Sequence, residues 1–157
     1  MNKIKLFTDG SVNPQKKIGF AAYIKLLDEN QNIQEIKKTI KLKKFEDTSS
    51  TKLELQALLW ALEDSNEKNI IVYTDCQNIL TLKERRKRFE DNNYYTKKGT
   101  LIGNHELYKK FYRLTDKLNC EFIKVKGHKQ EDLKDNIDNI FTLVDKASRN
   151  ALRELDF

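Results

Sequence analysis

The sequence predicts an α/β domain built on a mixed sheet, and three observations carry that expectation. Short runs in the first half of the chain alternate apolar with charged residues between turns, as antiparallel strands do. The period then changes to helical spacing after Ser49. Finally, Asn69-Ile70-Ile71-Val72-Tyr73-Thr74 is a short continuous apolar run of the kind that a strand buried on both faces requires.

In order, Lys3 to Asp9 alternates basic and apolar residues before an Asp-Gly turn, and Ile18 to Leu27 is a second strand rich in β-branched and aromatic residues. Asp28-Glu29-Asn30-Gln31 supplies a turn, after which Ile33 to Leu42 reads as a third, half-exposed strand. Leu53, Ala57, Trp60 and Ala61 then recur at helical spacing behind a Ser/Thr cluster suited to an N-cap. The buried strand from Asn69 to Thr74 leads into a helix from Cys76 to about Arg88, and a strand from Cys120 to Val125 completes a crossover unit. Phe141 to Leu155 closes the chain as an amphipathic helix. The result is an antiparallel first half of three strands with parallel strands added by crossovers, flanked by helices.

Composition bounds the function. With 157 residues, one Pro, 38% hydrophobic and 34% charged residues, residues 1–157 read as a single globular domain, not as a disordered or low-complexity chain. No apolar run approaches the roughly 18 residues that a membrane crossing needs, so no membrane partner is expected. The apolar stretch before Thr8 is too short for an export signal, and Cys76 and Cys120 are too few for a disulfide framework. A reducing cytoplasmic location and a monomer are therefore expected. The formal charge of +6 suits either an ordinary soluble surface or a polyanionic partner, and clustering decides between them.

Four acidic residues stand out by position: Asp9 at the end of the first strand, Glu54 in the first turns of the first helix, Asp75 at the end of the buried strand, and Asp145 at the opening of the last helix. Each has an ordinary alternative. Asp9-Gly10 is a turn dipeptide, Thr51-x-x-Glu54 fits a capping box, Asp75 suits a helix cap, and Asp145 can pair with Arg149. If the first and buried strands are parallel neighbours about 5 Å apart, however, Asp9 and Asp75 converge, and a helix packed across them adds Glu54. Carboxylates so close repel unless a cation neutralises them, and an all-oxygen site suits Mg²⁺ or Mn²⁺.

Thr8-Asp9-Gly10-Ser11, Lys52-Leu53-Glu54-Leu55, Tyr73-Thr74-Asp75-Cys76-Gln77, Val125-Lys126-Gly127-His128 and Val144-Asp145-Lys146-Ala147-Ser148-Arg149 occur in that order. On these motifs the chain, from about Lys3 to Arg153, resembles a type 1 ribonuclease H. The resemblance implies a five-stranded mixed sheet flanked by helices. It also implies endonucleolytic, two-metal hydrolysis of the RNA strand of RNA/DNA hybrids, with Mg²⁺ as cofactor and Mn²⁺ as a possible substitute, leaving 5′-phosphate and 3′-hydroxyl ends. By the same resemblance Asp9, Glu54, Asp75 and Asp145 are the metal ligands. His128 moves a proton or assists product release, which an imidazole titrating near neutrality can do.

His128 and Asp145 are 17 positions apart, a longer stretch than in well-known bacterial members. That stretch holds Glu131, Asp132, Asp135 and Asp138, of which Asp138 is the alternative last ligand. Ala147 and Arg149 favour Asp145, because they follow it as in the family's helix.

Selecting RNA requires sensing the 2′-hydroxyl. By resemblance Gly10, Ser11, Asn13 and Gln77 contact the hybrid. Ser49, Ser50 and Thr51 fall where many relatives carry Thr-Asn-Asn, and helix capping is the other reading of that cluster. Arg85-Arg86-Lys87-Arg88, followed by Phe89, Tyr94, Tyr95, Lys97, Lys98 and Lys109 to Arg113, interleaves base with aromatic residues where some members carry a basic protrusion that grips DNA. The alternative there is a solvated helix face over a local aromatic core. A non-catalytic nucleic-acid-binding module of the same fold, or a DNA nuclease or integrase-like relative, are the competing functions. The complete set of four carboxylates argues against the first, and the Lys126-Gly127-His128 motif against the second.

Overall fold

The first strand is the centre of the sheet. In a computed structural model, which describes residues 3–27, 31–125 and 135–155, β1 (Ile4–Asn13) pairs antiparallel with β2 (Ile18–Leu26) and parallel with β4 (Asn69–Thr74). β3 (Lys41–Glu46) extends the antiparallel side and β5 (Asn119–Lys124) the parallel side, giving five strands in the order β3-β2-β1-β4-β5. The mixed topology expected from the sequence is the one observed.

Strand alternation divides the core in two. Leu6, Ile70 and Val72 face α2 (Ser50–Glu63), α4 (Leu82–Asp91) and α5 (His105–Lys117). Phe7, Ile24 and Tyr73 face α1 (Ile33–Lys37) and α6 (Asn136–Glu154). Phe7 and Tyr73, paired in register, stack with ring centroids 4.8 Å apart. The strand from Asn69 to Thr74 is buried on both sides for this reason, which explains why its sequence shows no alternation.

Five sequence expectations are corrected. The first strand does not end in a turn at Asp9-Gly10: β1 runs on to Asn13, with Asp9 opposite Ala22 and Gly10 opposite Ala21 inside the ladder. Ile33 to Leu42 is not one strand: Ile33, Ile36 and Ile40 are spaced i, i+3, i+7, and Asn32 accepts a hydrogen bond from the Glu35 amide at 2.8 Å, so α1 forms first and β3 begins only at Lys41. The cap of α2 is Ser49, which accepts from the Lys52 amide, in place of the Thr51–Glu54 box. The helix after β4 is broken into α3 (Gln77–Leu80) and α4 at Thr81, whose hydroxyl turns back onto the carbonyls of Gln77 and Asn78. The last helix starts at Asn136 through a capping box between Asp135 and Asp138, so Asp145 lies within the helix and not at its opening. Helix α5 was not anticipated as an element; Tyr108, Phe111 and Tyr112 fix its inner face. The turn at Asp28 to Asn30 lies outside the described residues.

Leu58 is fully buried between α2 and the sheet. Leu58→Ala should lower the unfolding free energy by about 3 kcal/mol, read as a lower urea midpoint at unchanged slope.

Candidate metal centre and nucleic-acid face

Parallel pairing sets the carboxyl end of β4 against the middle of β1, which runs on to Asn13. Phe7 is registered with Tyr73, so Asp9 and Asp75, each two residues further on, emerge side by side. Helix α2 packs across β1 and β2 and brings Glu54 to the same point. One carboxylate oxygen from each of Asp9, Glu54 and Asp75 lies within 4.8 Å of the others. Of these residues Asp9 is buried, Glu54 half-buried and Asp75 exposed.

The electrostatics of this cluster are unfavourable by themselves. Burial, followed by the charge of Asp75 and then of Asp145, pushes the Asp9 carboxyl up to about 8, against the opposing hydrogen bond from the Gly10 amide. Burial, then the charges of Asp9 and Asp75, and then a hydrogen bond with Asp9 raise the Glu54 carboxyl well above the carboxylate range. Glu54 Oε2 is sealed from solvent without a hydrogen-bond partner among the described residues. A buried acceptor without a donor, beside two further carboxylates, is the environment that a hard divalent cation satisfies, and the all-oxygen donor set fits Mg²⁺ or Mn²⁺.

Asp145 stands apart from this triad. It sits on α6, close enough for its charge to act on Asp9, while its own carboxylate accepts from Arg149 at 3.0 Å. The alternative ligand, Asp138, is only 7% exposed and accepts from the Asp135 amide at 3.2 Å, which makes it part of the helix cap. His128, with Lys126, Gly127, Glu131 and Asp132, lies outside the described residues.

Around the triad, Gly10 and Ser11 lie on β1, and the Asn13 Oδ1 accepts from the amides of Gln15 and Lys16 at the turn after it. Ser49 caps α2, with Ser50 and Thr51 exposed beside it. Gln77, exposed at the start of α3, accepts from Lys124 Nζ at 3.4 Å. Lys124, which ends β5, is a cation at the rim of the site that no sequence motif marks.

The basic run is divided by its surroundings. Arg85 donates to the Asn78 Oδ1 at 2.6 Å and covers the rings of Phe89 and Tyr108. Arg86 forms a two-pronged pair with Asp116 at 2.6 and 2.8 Å and also holds Glu90, which pins α4 to α5. Lys87 pairs with Asp91. Phe89, Tyr94, Tyr108, Phe111 and Tyr112 are buried, and the Tyr112 hydroxyl donates to the Leu82 carbonyl at 2.6 Å, so these rings form the local core. The base and aromatic surface that faces solvent lies further along. Arg88, Tyr95, Thr96 and Lys97 line an open cleft of about 430 Å³ beside a bridge between Tyr95 and Leu101, and Tyr95 is 48% exposed. Gly99, at φ 83°, makes the tight turn there, a conformation that L side chains rarely adopt.

A carboxylate triad formed by β1, α2 and the residue after β4, with a separate cleft lined by Arg88 and Lys97, defines the class: an α/β protein whose clustered acids could hold a divalent cation. Known proteins specify it further. The RNase H family model matches residues 1–152. Ribonuclease H of Clostridium botulinum strain Hall is 30% identical over 145 residues, covering 89% of this chain and 93% of the relative. The ribonuclease H of Caldicellulosiruptor saccharolyticus is 28% identical and covers 99% of each chain. That of Acetivibrio thermocellus is 25% identical, covering 96% of this chain and 99% of the relative. The chain belongs to the RNase H family.

The raised Asp9 carboxyl has a definite consequence for stability. An unfolded Asp ionises near 4, so above that pH the unfolded chain loses a proton which folded Asp9 keeps until about 8. Folding is disfavoured progressively as pH rises through that window. Without metal, Asp9→Asn should therefore melt about 5 °C above wild type at pH 8, with the difference vanishing near pH 4. Thermal scans in chelator at both pH values test this, and equal midpoints at pH 8 would refute it.

Proposed function

We propose that this chain hydrolyses the RNA strand of RNA/DNA hybrids endonucleolytically, leaving 5′-phosphate and 3′-hydroxyl ends, with two Mg²⁺ ions that Mn²⁺ can replace. The observation that carries the reading is the convergence of Asp9, Glu54 and Asp75, with Glu54 Oε2 buried and unbonded. The family supports the substrate class.

Asp9, Glu54 and Asp75 would hold the cations, with Asp145 closing the cluster from α6. Cations held there would supply positive charge to the scissile phosphate, the attacking water and the leaving oxygen. The chain's residues do the rest. The Gly10 amide, close to both Asp9 and Glu54, favours the ionised form of each carboxylate. For Asp145 to join the ligands, its carboxylate must turn from Arg149, a change within reach of an exposed ion pair of small net strength. Gln77, Asn13, Ser50 and Thr51 offer short polar groups to the minor groove, where the 2′-hydroxyl distinguishes RNA from DNA. His128 is assigned the proton that the leaving 3′-oxygen takes up, as an imidazole titrating near neutrality allows.

Incubation with labelled RNA/DNA hybrid, RNA duplex and DNA duplex, each with Mg²⁺, Mn²⁺ or chelator, tests the proposal. Cleavage should be confined to the RNA of the hybrid and require metal; folded protein without that activity would sink the reading. Asp75→Asn is expected to lower turnover at least about 100-fold while hybrid affinity stays within about threefold.

The hybrid's DNA backbone is assigned to the cleft of Arg88 and Lys97, whereas Arg86 and Lys87 already hold acidic partners. Arg88→Ala with Lys97→Ala should weaken hybrid binding and flatten its logarithmic salt slope by about 1 to 2. Lys87→Ala should change the slope far less. Equal effects would show that the ion pairs yield to phosphate.

A further inference from the structure

Glu54 is placed by the residue before it. Leu53 is only 1% exposed and lies against the sheet together with Ala21 and Ala57. Its seat is made by two glycines on neighbouring strands, Gly10 of β1 and Gly19 of β2. A Cβ at Gly19 would stand 2.5 Å from Leu53 Cδ2 and 2.9 Å from the Ser11 carbonyl oxygen. A Cβ at Gly10 would stand 3.0 Å from Leu53 Cγ and 3.6 Å from Glu54 Oε1. Neither glycine has a positive φ, so each is needed for the space it leaves and not for its backbone freedom.

The consequence for the cluster follows from helix rigidity. Leu53 and Glu54 are consecutive on α2, so the depth at which Leu53 seats on the strands is the depth at which Glu54 reaches Asp9. Carbon atoms pack at about 3.5–4.0 Å. A methyl group at Gly19 therefore displaces the Leu53 side chain by about 1 Å, and because the same Cβ also meets the Ser11 carbonyl on β1, the closely packed floor gives way by lifting the first turn of α2. Displacements of that size spoil a site built for hard-cation geometry.

We propose that Gly19 and Gly10 are positioning residues for the cation centre, setting through Leu53 the height at which Glu54 enters it. This rests on the reading of the three carboxylates as a cation site. Neither glycine touches substrate or metal through a side chain, and the coupling is steric.

Mn²⁺ titration of the nucleic-acid-free protein, followed by calorimetry or by the electron-spin signal of free Mn²⁺, reads the effect alongside thermal midpoints. Gly19→Ala should weaken Mn²⁺ affinity about tenfold. Gly19→Ala combined with Leu53→Ala, which removes the Leu53 contact and leaves the one to the Ser11 carbonyl, should bring affinity back to within about threefold of wild type while remaining less stable than wild type. A purely structural role would move stability and affinity together and would show no such recovery. Folded Gly19→Ala with wild-type Mn²⁺ affinity would overturn the proposal. If Gly19→Ala does not fold, Gly10→Ala, whose Cβ presses the same side chain more gently, decides: weakened affinity supports it and unchanged affinity overturns it. Wild type that binds no Mn²⁺, or Glu54→Gln that binds it normally, would instead reject the cation site itself.

Discussion

The parallel pairing of β1 with β4 forces carboxylates together, and much of the molecule is arranged around that repulsion. In the parallel register Phe7 lies opposite Tyr73, so Asp9, within β1, and Asp75, just beyond β4, are brought to one place. The charge of Asp75 and burial together hold Asp9 largely protonated near neutrality. In the metal-free chain the cluster is a local source of instability, and the two aliphatic and aromatic cores on either side of the sheet offset it. An arrangement that disfavours the empty site also sharpens its demand for a cation, because binding removes the repulsion and satisfies the orphaned Glu54 oxygen at once.

Helix α2 links core and site. Its buried residues surround the axis: Leu55, Leu58 and Leu62 join the larger core, while Leu53 and Ala57 rest on the small-residue floor of β1 and β2. Glu54 is presented from this anchored first turn, not from a loop. A ligand carried on a packed helix keeps its geometry because the helix cannot tilt without opening contacts along its whole length. The glycine seat makes the coupling between packing and the cluster direct.

The charge of +6 is the sum of opposed local populations. Acid converges at the carboxyl edge of the sheet, and base gathers along α4 and the loop after it. Within the basic run the structure sorts side chains by partner. Arg86, held by Asp116 and Glu90, joins two helices, while Arg88 and Lys97 open onto solvent beside Tyr95. Density of Lys and Arg in sequence thus overstates the surface available to phosphate.

The sequence by itself determined the antiparallel pairing of the first two strands and the doubly buried fourth strand, because local periodicity encodes both, and its motifs singled out the three acids that end up together. It misjudged Ile33 to Leu42, where one set of apolar positions satisfies both a strand and a helical turn and the Asn32 cap decides. It missed α5, whose aromatic face looks like a nucleic-acid patch until burial is known. The Asp135–Asp138 capping box is local, whereas only the tertiary structure decided that Arg86 is already paired and that Leu53 sets the height of Glu54. The physical reason is common to these two. A chain's periodicity records which faces must leave water, but whether a charge finds a partner 30 residues away, as Arg86 finds Asp116, is fixed by which surfaces meet.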